Sequence, residues 1–220
     1  MKQIAITFCT AVVLIACNSS TDNKTSDAKT DETKVASMTT ETKSKEWVPV
    51  DSAAMEKAWM ESMTPGKEHA MLAKSNGVWN AETIMWMTPE APPEKSTATA
   101  ENKMILGGRF QQTTFKGTMM NQPFEGVATT GYDNARKVFV SNWVDNMNTA
   151  VMNIEGPWDE ASKSITMTGK MYCAANKMDC EMKEVFKIVD DNTQVMEMYG
   201  PDMKTGKQYK TMEVKYTRKK

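Results

Sequence analysis

Side chains that could do chemistry are few in this sequence, and histidine is the scarcest. His69 is the only histidine among the 220 residues, which leaves no material for a multi-histidine zinc site and little for a Ser-His-Asp or Cys-His unit. The aspartates mostly flank turn signals, which favours a structural role over an acid and base pair: Asp133, Asp145, Asp159, Asp190 and Asp191. We therefore predict that the protein is not an enzyme, with no catalytic residue, no metal and no cofactor.

Two of the four cysteines form a spaced pair near the C-terminus. Cys173 and Cys180 have six residues between them and lie at the end of one predicted strand and the start of the next. In an exported chain such a pair is expected to form a disulfide across the hairpin, worth about 2.5 kcal/mol by loop-closure entropy. A metal or redox pair is the alternative, but no histidine lies nearby and the spacing is not C-x-x-C.

Of the other two cysteines, Cys9 lies in the N-terminal segment, residues 1–16, and Cys17 directly follows this segment. Lys2 is followed by an apolar run whose length is typical of a signal peptide and short for a bilayer span. The run ends in Leu14-Ile15-Ala16-Cys17, which resembles the lipobox of bacterial lipoproteins. This resemblance implies that residues 1–16 are removed, that Cys17 carries the lipid, and, with Asn18 next, that the anchor lies in the outer membrane facing the periplasm. An ordinary secretory signal or a buried N-terminal segment is the alternative.

Residues 17–46 are almost entirely Ser, Thr, Asp, Lys, Glu and Asn. This composition cannot bury enough apolar surface to offset the entropy of ordering, so we predict a disordered tether with a reach of about 30 Å. Trp47 marks the start of the folded domain, which we place at residues 47–220. With 27 basic and 28 acidic residues the net charge is -1, which gives no basic field for binding nucleic acid.

Two short amphipathic helices are predicted before the first strand. The first spans residues 51–63 and carries its apolar side chains on one stripe: Met55, Trp59, Met60 and Met63. The second begins at Thr64 as cap with Pro65 as its first residue, ends before Gly77, and turns Met71 and Leu72 inward. We expect the pair to plug one end of a barrel.

The rest of the chain has the side-chain period of strands. Residues 104–145 form three runs separated by glycine-rich and asparagine-rich turns, and the same pattern continues to the C-terminus. We count about ten strands joined by links too short for parallel crossovers, so the sheet is antiparallel. An up-and-down barrel removes both unpaired edges, and a two-sheet sandwich is the alternative. A membrane barrel is disfavoured, because one face of many strands is Thr, Lys and Glu.

Several short motifs resemble a bacterial family, domain of unknown function 1579, over Pro65 to Arg218. The residues that carry the resemblance are Gly77-Val78-Trp79, Leu106-Gly107-Gly108-Arg109-Phe110, Phe124-Glu125-Gly126, Gly131-Tyr132-Asp133, Trp143-Val144-Asp145 and Met212-Glu213-Val214-Lys215-Tyr216-Thr217-Arg218. The resemblance implies a calycin-like, lipocalin-type barrel. It implies no activity, so no catalytic residue can be transferred, and the methionine content and the cysteine pair are not part of the family pattern.

Methionine is over-represented, with 21 Met against three Leu. The methionines follow the apolar face wherever the alternation is clear, as at Met167, Met171 and Met212, which indicates that Met replaces Leu as core filler. The alternative is a soft Cu(I) or Ag(I) site, for which thioether pairs at short spacing are suitable. The spacings concerned are Met85-x-Met87, Met196-x-Met198, Met60-x-x-Met63 and His69-x-Met71.

These observations favour a lipid-anchored soluble β-barrel that binds a small, largely apolar molecule without catalysis. The predicted interior ligand-binding residues are Trp79, Trp86, Arg109, Tyr132 and Trp143. Arg109 shares the parity of Gln111 and could point inward, where it would pair with an acid such as Glu125 or Asp145 or hold a carboxylate ligand; a rim or internally paired arginine is the favoured interpretation. The rival function is a structural or protein-interaction module of the cell envelope, and Cu(I) handling through methionines is third.

Overall fold

Strands follow one another along the chain, with two helices before them. The computed structural model describes residues 46–220. The predicted signal peptide (1–16) and tether (17–46) lie outside the described residues, apart from Glu46. The helices are α1 (Ser52–Met63) and α2 (Lys67–Lys74), and the strands are β1 (Gly77–Met85), β2 (Glu94–Ile105), β3 (Phe110–Met119), β4 (Gln122–Asp133), β5 (Val138–Asp145), β6 (Met152–Gly156), β7 (Trp158–Asp159), β8 (Ser164–Cys173), β9 (Met178–Asp190), β10 (Thr193–Pro201) and β11 (Gln208–Arg218).

Each strand pairs antiparallel with its neighbour in sequence, and the first strand pairs with the last. β1 and β11 are in register over seven residue pairs, from Trp79 opposite Arg218 to Met85 opposite Met212. The two-residue β7 continues β6 beyond Pro157, and both pair with β8, so ten strands surround the axis. The predicted antiparallel up-and-down barrel is confirmed, and the sheet is a closed ring, not a sandwich.

Side chains alternate between the barrel axis and the outer surface, as a period of two requires. On β10 every second residue is buried: Gln194, Met196, Met198 and Gly200. On β1 the inward Trp79 and Ala81 are almost fully buried. The methionines of β8 and β10 therefore lie inside the barrel, and for Met167 and Met171 on β8 this is where the alternation predicted them.

Helix α2 closes one end of the barrel, at the ends of the strands next to Gly77. Leu72 is buried against Phe139 and Ile154 on the inner wall. The helix begins at Lys67 with Gly66 as its N-cap, two residues later than Thr64 and Pro65 predicted. His69 causes this start, because its Nδ1 accepts a hydrogen bond from the Gly66 N–H at 3.0 Å.

Helix α1 does not take part in the plug, so the prediction that both helices close the barrel was wrong. Asp51 caps it, accepting a hydrogen bond from the Ala54 N–H at 2.9 Å, but none of its residues is buried. Met55 and Trp59 are 59% and 65% exposed. Since α2 is joined directly to β1 and already fills the barrel end, the apolar stripe of α1 has no inner surface to cover.

β6 pairs with β8 over only three residue pairs, and β7 adds two more to this junction. Two glycines allow the backbones to approach there. A Cβ at Gly169 would overlap the carbonyl oxygen of Asn153, and a Cβ at Gly156 would overlap the carbonyl oxygen of Thr166. Neither glycine has a positive φ, so space and not backbone conformation requires glycine at both positions.

We expect Gly169→Ala to lower the free energy of unfolding by about 2 kcal/mol or more, because the added methyl forces two backbones apart. Gly200→Ala is the control, since its nearest neighbours are the terminal atoms of the flexible Met182 side chain at 3.3 Å, and it should cost about 1 kcal/mol or less. Urea unfolding monitored by tryptophan fluorescence measures both. Equal stability of the two variants would contradict the tight β6–β8 junction.

Candidate ligand-binding cavity

A cavity of about 620 Å³ runs along the barrel axis from α2 to the loops at the opposite end. Leu72 and Ser75 of the α2 segment form its floor. At the other end its lining includes Met87, Met147 and Met203, which are 52%, 45% and 51% exposed. The cavity therefore meets solvent at the end that carries the β1–β2, β5–β6 and β10–β11 loops.

Thioether side chains make up much of the cavity wall. The lining methionines are Met71, Met85, Met87, Met119, Met147, Met152, Met167, Met171, Met182, Met196, Met198, Met203 and Met212. Methionine is unbranched, polarizable and rich in rotamers, so it fits surfaces of irregular shape. A wall of this composition can adapt to an apolar molecule with little strain.

An aromatic cluster covers the wall formed by β3, β4 and β5. The rings of Phe124 and Trp143 are stacked with centroids 6.2 Å apart, and Phe115 meets both edge-on at 5.9 and 6.3 Å. Gly126 makes room for this arrangement, because a Cβ there would overlap the Trp143 indole. The Trp143 Nε1 donates to Asp145 Oδ2 at 2.8 Å, which fixes the ring at the cavity wall.

A hydrogen-bond network fixes the floor to the barrel. The Gln111 Nε2 donates to the Leu72 carbonyl at 2.6 Å and to the Ser75 Oγ at 2.9 Å. The Ser75 carbonyl accepts from Trp79 Nε1 at 2.8 Å and from Asn102 Nδ2 at 3.1 Å. Because these bonds run from β1, β2 and β3 to the end of α2, all three strands hold the plug in place.

Arg218 adds the last strand to the same floor. Its two terminal nitrogens donate to the carbonyls of Asn76 and Lys74, both at 2.7 Å. Its guanidinium carbon lies 4.2 Å from the centre of the Trp79 ring, a cation–π geometry. The end of β11 thereby holds both α2 and the start of β1.

The structure divides the five predicted ligand-binding residues into three groups. Trp86 and Trp143 line the cavity. Trp79 and Tyr132 lie at the closed end, where Trp79 is 0% exposed and Tyr132 packs on Phe139 with ring centroids 5.0 Å apart. Neither is among the lining residues, so both support the floor and do not face a ligand.

Arg109 is exposed and does not enter the barrel, so it agrees with the favoured rim interpretation and is not an interior ligand-binding residue. The residues before it, Leu106–Gly108, form a tight 3-10 turn with positive φ at all three positions. β3 begins only at Phe110, and the strand alternation that places Gln111 inside does not extend back to Arg109. A strand period counts only within the strand, which explains why Arg109 does not point inward with Gln111.

His69 is buried at the start of α2. Its ring meets Tyr132 edge-on with centroids 6.1 Å apart, and its Nδ1 is engaged by the Gly66 N–H. Burial lowers the pKa of His69, with nearby Glu68 acting in the opposite direction. The imidazole therefore supports the α2 start and the barrel end.

Sequence reasoning missed Glu184, which faces the cavity from the middle of β9. Its inward neighbours on the strand are Met182 and Phe186, so the signal was a carboxylate at the centre of an apolar face. Part of its surface is accessible because it faces a cavity, yet protein encloses it. The surrounding protein shields the carboxylate from bulk water except on the side of the cavity, and this burial raises its pKa from 4.5 to about 7.

Cys173 and Cys180 are joined by a disulfide across the β8–β9 hairpin, with their Cα atoms 6.0 Å apart. Cys173 lies at the open end of the cavity wall. The bond therefore ties two strands together next to the cavity entrance. Cys17, the predicted lipidation site, lies outside the described residues.

The described residues contain no group of three or more His, Cys, Asp and Glu side chains suited to a metal ion. Of the methionine pairs considered for Cu(I), Met196 with Met198 and Met85 with Met87 line the cavity. The pair Met60 and Met63 lies on the exposed α1. Within residues 46–220, neither α1 nor α2 combines the length and hydropathy that a bilayer crossing demands.

Fold and cavity together define a ten-stranded antiparallel β-barrel with an internal, Met-rich cavity. A family profile described as "Protein of unknown function (DUF1579)" matches residues 64–218. The chain belongs to this family, as the motifs between Pro65 and Arg218 indicated. A comparison with functionally curated proteins finds no match to the chain.

The raised pKa of Glu184 makes stability depend on pH in a defined direction. Because the folded chain holds this proton more tightly than the unfolded chain, stability should fall as pH rises from about 4.5 to about 7. We expect Glu184→Gln to remove this loss of stability. At pH 8 its free energy of unfolding should exceed that of the wild type by up to about 3 kcal/mol. Urea unfolding at several pH values measures the difference, and parallel pH profiles for the two proteins would contradict an enclosed carboxylate.

Proposed function

We propose that this barrel binds a small, largely apolar molecule without catalysis. The observation that carries the proposal is the cavity of about 620 Å³, which falls in the range of about 300–1,000 Å³ typical of ligand sites. Methionine and aromatic side chains supply about half of its lining residues, and the polar side chains among the rest are uncharged apart from Asp145 and Glu184. A compact ligand that buries about 300 Å² of apolar surface would gain about 7 kcal/mol before the costs of binding, which supports affinities in the micromolar range or weaker.

The architecture around the cavity supports binding by a preformed site. The Gln111 network and Arg218 fix the floor, and the Trp143–Asp145 hydrogen bond fixes the aromatic wall. A ligand that enters from the open end therefore meets a rigid floor and one rigid wall. The methionines of β8 to β11 supply the adaptable side, which is suited to a ligand whose shape is not closely matched in advance.

We also propose that the barrel is held at a membrane through a lipid on Cys17, on the periplasmic side of an outer membrane. The support is the sequence Leu14-Ile15-Ala16-Cys17 after an apolar run and the polar stretch that follows it. A tethered binding protein could exchange an apolar ligand with the nearby bilayer, which suits the chemistry of the cavity. The proposal gives the polar stretch the role of a spacer.

Cys17→Ser should move the protein from the membrane fraction to the soluble fraction of cells that produce it. The reason is that the serine hydroxyl cannot take the thioether-linked lipid, while the rest of the chain is unchanged. Cys9→Ser is the matched control, because Cys9 lies in the segment predicted to be removed. Membrane association that persists in Cys17→Ser would end the anchor proposal and leave the cavity proposal standing.

Filling the cavity should abolish binding of a neutral apolar dye. Ala128 lines the cavity and lies opposite Trp143 in register, so Ala128→Trp places an indole where a ligand would lie. Nile red, whose emission rises in apolar surroundings, should bind the wild type and bind Ala128→Trp at least about tenfold more weakly, a loss of about 1.4 kcal/mol or more. Thr129→Trp on the outer face is the control and should bind like the wild type.

Wild-type protein that fails to bind Nile red would contradict the binding function. So would an Ala128→Trp variant that is as stable as the wild type and binds the dye equally well. Circular dichroism and urea unfolding of both tryptophan variants keep a folding defect from being taken for a filled cavity.

A second candidate function is a protein-interaction module of the cell envelope, and α1 is the observation that favours it. The helix exposes Met55, Trp59 and Met60 on one stripe, at 59%, 65% and 55%. Exposed apolar stripes of this kind mark surfaces that contact other molecules. The two candidates differ in where an apolar occupant would lie, since one uses the methionines of the cavity and the other those of α1.

A further inference from the structure

The charged side chains that line the cavity are all acidic. Among the described residues that line the cavity, Asp145 and Glu184 are the only acidic side chains, and none is lysine, arginine or histidine. Asp145 is already engaged near the entrance, where it accepts hydrogen bonds from Trp143 Nε1 at 2.8 Å and from the Met147 N–H at 2.9 Å. The carboxyl group available to a ligand is therefore that of Glu184.

Within residues 46–220, Glu184 has neither a hydrogen-bond donor nor a cation as partner. Its neighbours in register are Met167 on β8 and Met198 on β10, and neither side chain titrates. Tyr216 on β11 is the titratable group that senses it, and burial together with the Glu184 charge raises the pKa of that phenol. An enclosed carboxylate without a partner is costly, so a ligand that brings a cation recovers free energy that the empty cavity lacks.

The opposite wall also favours positive charge. In a ring of ten strands β3 lies five places from β9, so the wall that carries Phe115 faces the wall that carries Glu184. Phe115, Phe124 and Trp143 form the aromatic cluster on that side. Aromatic faces attract cations, whereas the cavity lining offers no basic side chain that would hold an anionic head group.

We propose that the ligand is a cationic amphiphile: an apolar body bearing a protonated amine whose nitrogen pairs with Glu184. The apolar body lies along the methionines of β8 to β11 and the aromatic cluster. This inference rests on the proposed binding function and adds the chemical class of the ligand. It disfavours fatty-acid anions, because their carboxylate would meet the Glu184 carboxylate with no cation in the wall to separate them.

Decylamine, decanol and decanoate test the head group, because they share one alkyl chain. Each is titrated against the protein by displacement of bound Nile red and by isothermal calorimetry, below its micelle concentration. At pH 7.5 we expect decylamine to bind at least about tenfold more tightly than decanol, as a charge-assisted hydrogen bond provides. Decanoate should bind more weakly than decanol.

Two matched variants separate Glu184 from general surface charge. Glu184→Gln should weaken decylamine binding about tenfold or more, change decanol binding by much less than that, and improve decanoate binding. Glu181→Gln removes a carboxylate from the exposed outer face of the same strand and should change none of the three. In the wild type, decylamine affinity should rise between about pH 5.5 and pH 7.5, because Glu184 must lose its proton to pair with the amine; decanol affinity should not rise with it, because decanol carries no charge that could pair with Glu184.

The outcomes distinguish a failure of the binding function from a failure of the proposed ligand class. If no member of the series binds, the proposed binding function fails and the head-group inference falls with it. If decanol or decanoate binds as tightly as decylamine, or if Glu184→Gln leaves decylamine binding unchanged, the cationic class is wrong while the apolar cavity remains a binding site. Calorimetry of Glu184→Gln with decanol shows that the variant keeps its cavity.

Discussion

The pairing of β1 with β11 is the constraint on which the rest of the molecule depends. Seven residue pairs join the first strand to the last, and without them the sheet would expose two long edges and enclose nothing. Arg218 stands at the end of this pairing and also holds the last carbonyls of α2 and the Trp79 ring. The pairing of β1 with β11 that closes the ring therefore also fixes its floor, although these two strands lie far apart in the sequence.

A closed ring of ten strands has more internal volume than its side chains fill. The inward positions on β1 to β5 include small residues such as Ala81, Ala100 and Ala128, while those on β8 to β11 include six methionines: Met167, Met171, Met182, Met196, Met198 and Met212. The barrel is thus lined by a wall with short side chains and one aromatic cluster on one side, and by flexible thioethers on the other. The unfilled space between them is the cavity, and Glu184 is the acidic side chain that faces it with no partner within residues 46–220.

The sequence period predicted the barrel well, because side-chain alternation and short links are local properties. The same period placed Met167, Met171 and Met212 inside, and two of the five predicted ligand-binding residues, Trp86 and Trp143, line the cavity. What failed depended on three-dimensional context. An inward Arg109 required a strand that continued through a 3-10 turn. Helix α1 was assigned to the plug, but the barrel end has room for only one helix.

Two further features could not be deduced from single residues. Trp79 and Tyr132 are inward, as predicted, but only the position of α2 shows that they support the floor and not the ligand. In the sequence Glu184 is one carboxylate among 28 acidic residues. It lacks a cationic partner because, within residues 46–220, no basic side chain lines the cavity. Such a property belongs to the assembled barrel, since no local pattern encodes it.

The central claim is that an apolar molecule binds among the cavity methionines and not on the exposed helix. NMR of protein labelled with 13C at the methionine methyl groups tests it most directly, with decanol as the added ligand. The account predicts that signals of cavity residues such as Met167, Met196 and Met198 shift, while those of Met55 and Met60 on α1 do not. Shifts confined to the α1 methionines, or no shifts at saturating decanol, would contradict it.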